Sequence, residues 1–145
     1  MKLHAGSRVY VCDGGRFVAY EQRGDTMFPD LFCVESETFQ NLPSHDLGDD
    51  RPGRYPSPDG QKSAVSETDP HELAESRFTA ELVSRINSWC QLSARNKFIL
   101  IADPRSMGRI RARMTPTIRE QMLQSITGDF VHHPVSEIMR VIAKA

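Results

Sequence analysis

The sequence has few cysteines and no long hydrophobic run, and each shortage excludes a class of protein. Its three cysteines, Cys12, Cys33 and Cys90, are odd in number and lack C-x-x-C spacing, which argues against a disulfide framework and a zinc knuckle. The longest apolar run, Phe98 to Ala102, is too short to cross a bilayer, and residues 1–7 contain no signal-peptide core. We therefore expect a cytoplasmic protein with no membrane association.

Neither sign of charge dominates the chain, but the two signs are unevenly distributed. The net charge is −1, yet residues 1–50 carry 4 basic and 9 acidic side chains, whereas residues 51–145 carry 14 basic and 10 acidic ones. This polarity permits a basic docking face for a polyanion, and a mixed solvated surface is the alternative. The 145 residues, 39% of them hydrophobic, suffice for one core, so we expect a single domain over residues 1–145.

Strand-forming runs dominate the first forty residues. Arg8–Cys12 and Arg16–Tyr20 flank Asp13-Gly14-Gly15, which predicts a β-hairpin whose glycines adopt positive φ angles. Leu31–Phe39 predicts a third strand that extends the hairpin into a meander. From Asn41 to Thr68, prolines and glycines interrupt every periodic pattern. We expect a long mobile loop at about residues 41–68, which is either functional or a linker.

The second half of the chain alternates helical and strand patterns. Asp69 and Pro70 are typical of a helix start, and that helix should run to about Gln91 with one apolar face. The buried run Phe98–Ala102 predicts a central strand covered on both sides. Two further helices are expected after Asp103 and Thr115, then a strand near Ile126–His132 and a last helix. The apolar residues of these three helices are Met107, Ile110, Met114, Ile118, Met122, Val135, Ile138, Met139 and Ile142.

This order of elements predicts the fold class. Strands that alternate with helices imply right-handed parallel crossovers, whereas the first strands form an antiparallel hairpin. We therefore expect an α/β fold with a mixed β-sheet, an N-terminal hairpin and meander, and then alternating helices and strands.

Three segments in order carry a resemblance to a known family. They are Asp50-Arg51-Pro52-Gly53-Arg54, Thr68-Asp69-Pro70-His71-Glu72, and Ile99 to Arg105 followed by Met107-Gly108. The chain resembles the bacterial host-attachment protein family over essentially its whole length. The resemblance implies a part in the attachment of bacteria to host cells, without specifying a molecular activity.

The order of elements also resembles the middle, peptide-releasing domain of archaeo-eukaryotic release factors. In that family a Gly-Gly-Gln tip on the corresponding loop positions the water that hydrolyses peptidyl-tRNA. Here the loop contains Asp59-Gly60-Gln61, so Gly60 and Gln61 match and Asp59 departs. The resemblance implies a catalytic Gln61, although RNA would repel an acidic group at the tip. A hydrolytic Gln61 and a chance Gly-Gln pair both stay open.

An arginine-rich helix is the clearest candidate binding feature. Arg105, Arg109 and Arg113 recur at four-residue steps and therefore share one helix face, opposite the apolar positions. The chain has no acidic residue between Asp103 and Glu120, which favours phosphate contacts through guanidinium groups. Arg51 and Arg54 of the loop could join such a nucleic-acid site. The alternative is a solvated amphipathic face.

Other motifs give no catalytic or metal site. His71 and Glu75 share a helix face, but no third ligand is evident, so we expect no metal. His132 and His133 are expected on opposite faces of a strand. No nucleophile pattern stands out, and we expect no cofactor.

Three functional hypotheses follow. The first is a release-factor-like binding module that docks on RNA or a ribosomal surface. The second is a peptidyl-tRNA ester hydrolase that uses Gln61. The third is a protein-interaction or regulatory component of host attachment, whose binding would depend on apolar contacts more than on salt.

Overall fold

The computed structural model describes residues 3–39 and 69–145. Five strands and four helices follow one another along these residues. They are β1 (Arg8–Cys12), β2 (Arg16–Gln22), β3 (Leu31–Thr38), α1 (Pro70–Gln91), β4 (Phe98–Ala102), α2 (Pro104–Arg113), α3 (Pro116–Gln121), β5 (Met122–Thr127) and α4 (Val135–Lys144).

The strands form one mixed sheet in the order β3-β2-β1-β4-β5. The pairs β1–β2 and β2–β3 are antiparallel, as expected for a meander, whereas β1–β4 and β4–β5 are parallel. Each parallel pair needs a crossover, which the helices supply. The predicted α/β class, with its mixed sheet and N-terminal hairpin, is confirmed.

Helices cover both faces of the sheet, as the alternation of side chains along the central strands requires. Strand β4 is buried along its whole length, so Phe98 and Leu100 face one layer while Ile99 and Ile101 face the other. Helices α1, α2 and α3 pack on the first face, and α4 packs on the second through Ile138 and Ile142. The first layer holds the larger core, which includes Phe78, Leu82, Ile86, Met107, Ile110, Met114 and Ile118.

The hairpin turn between β1 and β2 is built by an aspartate. Asp13 Oδ1 accepts hydrogen bonds from the backbone N–H groups of Gly15 and Arg16, both at 2.8 Å. Among the described residues only Gly6 has a positive φ, of 89°. The prediction of positive φ angles at Gly14 and Gly15 is therefore wrong, because the Asp13 carboxylate closes the turn by satisfying its amides.

Helix α1 begins and ends where the sequence predicts. The side chain of Asp69 accepts a hydrogen bond of 3.0 Å from the backbone N–H of His71, and Pro70 occupies the first turn. The helix ends at Gln91, and its apolar residues face the sheet.

The last strand lies several residues earlier than predicted. Strand β5 spans Met122–Thr127, not Ile126–His132, and Met122 belongs to it, not to the preceding helix. The buried Gln121 sets this boundary, because its side-chain amide donates to the carbonyls of Cys90, Ser93 and Asn96 at 2.7–3.1 Å. These bonds fix the end of α3 beside the end of α1.

The residues after β5 form a turn. The backbone N–H of His133 donates to Phe130 O at 3.0 Å, so His132 and His133 lie in that turn. The expectation that they alternate on a strand is wrong. Within residues 3–39 and 69–145, no helix combines the length and hydropathy needed to cross a bilayer.

Stability should fall at alkaline pH because Tyr10 is fully buried. Burial raises the pKa of Tyr10 to about 12, and a hydrogen bond of 3.2 Å from Arg8 Nη1 to its hydroxyl opposes the shift. An unfolded tyrosine ionises near pH ~10, so the unfolded state releases its proton first as the pH rises from about 10 to about 12. We expect this single group to lose roughly 2–3 kcal/mol of stability across that window.

Urea unfolding of the wild type and of Tyr10→Phe between pH 8 and 12 measures this loss. The free energy of unfolding of the variant should fall less steeply with pH above pH 10. Equal pH dependence in the two proteins would show that Tyr10 ionises normally in the folded state.

Candidate functional site

Helix α2 carries the predicted arginine face on a well-defined scaffold. The side chain of Asp103 accepts a hydrogen bond from the backbone N–H of Ser106 at 3.2 Å, and Pro104 occupies the first turn. Met107 and Ile110 are buried in the first core layer, as predicted. The third apolar position, Met114, is also buried but lies one residue past the helix, at its C-cap.

Acidic side chains of α1 oppose two of the three predicted arginines. Arg105 Nε lies 3.3 Å from Glu75 Oε1. Arg109 Nη2 lies 3.5 Å from the same oxygen and 3.6 Å from Glu72 Oε1. Arg113 Nη2 instead donates to the hydroxyl of Ser76 at 3.3 Å. The arginine face therefore packs along α1.

Acidic residues from elsewhere in the chain offset this face. The chain between Asp103 and Glu120 contains none, but Glu72 and Glu75 arrive from a helix about thirty residues earlier. The side chains of Arg109 and Glu75 are 27% and 19% exposed, so this pair is screened less than a surface ion pair. Arg109 is thus largely committed to the fold, whereas Arg105, at 60% exposure, stays accessible.

Three exposed arginines at the ends of α2 and α3 have only neutral partners within residues 3–39 and 69–145. We call Arg111, Arg113 and Arg119 the outer arginines. Arg111 Nη2 donates to the Ser125 hydroxyl on β5, and Arg119 Nη2 donates to Arg111 O at 2.8 Å. Among the described residues, none of the three forms an ion pair with a carboxylate. Their charges are therefore available to an anionic partner.

The outer arginines also suit the local helix structure. Arg111 and Arg113 lie in the last turn of α2, and Arg119 lies in the last turn of α3. Cations are favoured there because the carbonyl groups at a helix C-terminus carry partial negative charge. The sequence pattern selected Arg105, Arg109 and Arg113 by spacing, and only Arg113 belongs to both sets. The feature that identifies Arg111 and Arg119 is their position in the last turn of a helix.

Gln61, Arg51 and Arg54, with the loop predicted at 41–68, lie outside the described residues.

Metal binding finds no support in the described part of the chain. No three His, Cys, Asp or Glu side chains converge there in a way that would hold a metal ion. Glu75, the proposed neighbour of His71 in such a site, lies instead against Arg105 and Arg109.

A cleft that the sequence did not predict lies at one edge of the sheet. Strands β1 and β4 are parallel neighbours, so their carboxyl ends place Asp13 and Asp103 side by side. We call it the β1–β4 cleft; its volume is ≈ 590 Å³, and it is lined by Asp13, Gly14, Gly15, Arg16, Thr38, Phe39, Glu75, Asp103 and His132. The only sequence signal for it is an aspartate after each of two β-rich runs.

A second unpredicted surface is apolar and exposed. Met27 and Phe28, in the connection between β2 and β3, are 76% and 77% exposed, and Phe32 on the edge strand β3 is 50% exposed. Arg23 covers the Phe32 ring at 3.9 Å. We call Met27, Phe28 and Phe32 the apolar patch.

The sequence matches the model of a known protein family. A family model described as "Protein required for attachment to host cells" matches residues 8–142. No curated protein matches the chain at a significant level.

Proposed function

Because the chain belongs to the family of proteins required for attachment to host cells, we propose that it acts in attachment as a release-factor-like binding module that docks on RNA or a ribosomal surface. The cytosol is the proposed site of action, since Cys12, Cys33 and Cys90 are free thiols.

The outer arginines are the observation that carries this proposal. Guanidinium groups donate several hydrogen bonds in a plane and match phosphate oxygens. Arg111, Arg113 and Arg119 hold exposed charges whose partners among the described residues are two hydroxyls and one carbonyl. A phosphate can displace such neutral partners at little cost, whereas it must compete with glutamates for Arg105 and Arg109. We therefore assign the main contacts to the outer arginines and secondary ones to Arg105.

A pull-down from cell extract, with and without ribonuclease, tests the docking proposal. The tagged wild-type protein should retain RNA, and ribonuclease should remove it. The variant Arg111→Gln/Arg113→Gln/Arg119→Gln should retain little RNA in either condition. A matched variant, Arg23→Gln/Arg140→Gln/Lys144→Gln, removes three exposed cations outside α2 and α3 and should behave as the wild type. Capture of proteins alone, unchanged by ribonuclease, would reject RNA docking.

The apolar patch favours a second candidate, a protein-interaction role in attachment. Exposed aromatic and methionine side chains are typical of interface centres. Binding through Met27 and Phe28 would be insensitive to salt and would weaken in a Met27→Ser/Phe28→Ser variant. Hydrolysis of peptidyl-tRNA by Gln61 is the enzymatic alternative.

A further inference from the structure

The loop that carries most of the apolar patch is held by a buried glutamine. Gln22, the last residue of β2, is 1% exposed. Its side-chain nitrogen donates to Leu3 O at 3.0 Å and to Asp25 O at 3.1 Å. Its side-chain oxygen accepts from Gly24 N at 3.0 Å and from Asp30 N at 2.7 Å. Both ends of the loop between β2 and β3 are therefore fixed to one amide whose donors and acceptors are all satisfied.

The tip of this loop presents Met27 and Phe28 to solvent. Asp25 Oδ1 accepts hydrogen bonds from the backbone N–H groups of Met27 and Phe28 at 2.9 and 2.6 Å. The carbonyl of Phe28 comes so close to Gly24 that a Cβ atom there would collide with it. The backbone of the tip is thus held in place while the side chains of Met27 and Phe28 are 76% and 77% exposed. Large apolar side chains on a preorganised loop lose little entropy on binding, which favours an interface.

A small apolar pocket lies beside the tip. Thr26 and Pro29, which precede Met27 and follow Phe28 in the chain, line one part of it. The other lining residues come from the start of the chain, from β3 and from α4, and are Leu3, Leu31, Met139, Ile142 and Ala143. The tip and the pocket therefore lie next to each other on one surface. The pocket volume of ≈ 60 Å³ admits the end of one side chain, not a whole aromatic ring.

A projection and a pocket on the same surface can be joined by two-fold symmetry. When a second copy is rotated by 180° about an axis between the two features, the tip of each copy meets the pocket of the other. Such a contact is closed, so assembly stops at two chains. A projection and a pocket on distant surfaces would instead continue into a filament.

The charges around the two features have opposite signs. Exposed Asp25 and Asp30 flank the tip, and exposed Lys144 follows Ala143 at the pocket. Within residues 3–39 and 69–145, none of these three charged side chains forms an ion pair. The two-fold arrangement brings the aspartates of each copy towards the lysine of the other, whereas an anionic partner would be repelled by the aspartates.

We propose that the protein forms a two-fold dimer through the apolar patch. Met27 of each copy inserts the end of its flexible side chain into the pocket of the other, and Phe28 packs across the pocket's rim. The proposal names the partner for the protein-interaction candidate as a second copy of this chain. It involves none of the outer arginines, so it does not rest on RNA docking.

Sedimentation velocity of the full chain over a range of concentrations tests the proposal. The wild type should pass from monomer to dimer as the concentration rises, with no larger species. Met27→Ser should raise the dissociation constant of the dimer at least about tenfold, because it removes the inserted side chain. Leu92→Ser is the matched control, since Leu92 is 78% exposed but lies at the C-cap of α1, outside the apolar patch. It should dimerise as the wild type does.

Charge reversal tests the two-fold geometry. Asp30→Lys and Lys144→Glu should each raise the dissociation constant at least about threefold, because like charges then face each other in both halves of the interface. The double variant Asp30→Lys/Lys144→Glu should recover the wild-type value, because both signs are exchanged together. A wild type that stays monomeric at every concentration, equal effects of Met27→Ser and Leu92→Ser, or no recovery in the double variant would overturn the proposal. Failure of RNA docking would leave the sedimentation results unchanged.

Discussion

Phe78→Ala should destabilise the protein by about 3–5 kcal/mol, the largest effect we expect of any single substitution. Phe78 is 1% exposed and lies in the centre of the layer between α1 and the sheet. Its ring meets the Phe39 ring edge-on at 5.1 Å and the Phe17 ring at 6.3 Å. Truncation removes these aromatic contacts and leaves a cavity that neighbours on strands cannot fill.

Urea unfolding followed by circular dichroism measures this loss. Leu73→Ala is the matched control, because Leu73 lies on the same helix but is 41% exposed. Its effect should stay below about 1 kcal/mol. Comparable losses in the two variants would show that α1 does not pack as described.

Ile110→Ala should cost about 2–5 kcal/mol, because Ile110 is fully buried beneath the arginine helix. The neighbouring exposed Arg111 offers the contrast: Arg111→Gln keeps helix propensity and removes only a charge and a bond to Ser125. Its effect should stay within about 0.5 kcal/mol. Thermal unfolding of both variants separates the residues of α2 that hold the fold from those available to a ligand, and equal losses would contradict that separation.

Not every arginine of α2 belongs to the available set. Replacing Arg109 would leave Glu75 Oε1, a buried acceptor, with only the more exposed Arg105 as an ion-pair partner. We therefore expect replacement of Arg109 to cost more stability than replacement of Arg113. The spacing of arginines along one helix cannot indicate this difference, because it says nothing about which element packs against that helix.

Local patterns predicted most of the fold. Each correctly predicted element carries a capping or burial signal within a few residues. Examples are the β-rich runs around Asp13, the Asp-Pro starts of α1 and α2, and the buried run of β4. Such signals depend on near neighbours in the chain and can be read without a partner element.

Features that depend on distant contacts were not predicted. Strand β5 is an edge strand of mixed burial, and its start follows α3 without a turn residue. Its position is fixed by Gln121, whose three acceptors lie 25–31 residues earlier in the chain. The β1–β4 cleft likewise needs the parallel pairing of β1 with β4, which brings together Asp13 and Asp103 across ninety residues.

The salt dependence of RNA binding tests the central claim most directly. The logarithm of the association constant for a short RNA is measured against the logarithm of salt concentration for the wild type, the outer-arginine triple variant and the matched Arg23/Arg140/Lys144 variant. Each phosphate contact contributes about 0.7–1 to the slope, so loss of the outer arginines should reduce its magnitude by about two to three units, while the matched variant keeps the wild-type slope. Equal slopes for all three proteins, or no RNA binding by any of them, would contradict RNA docking and leave a protein partner at the apolar patch as the better account.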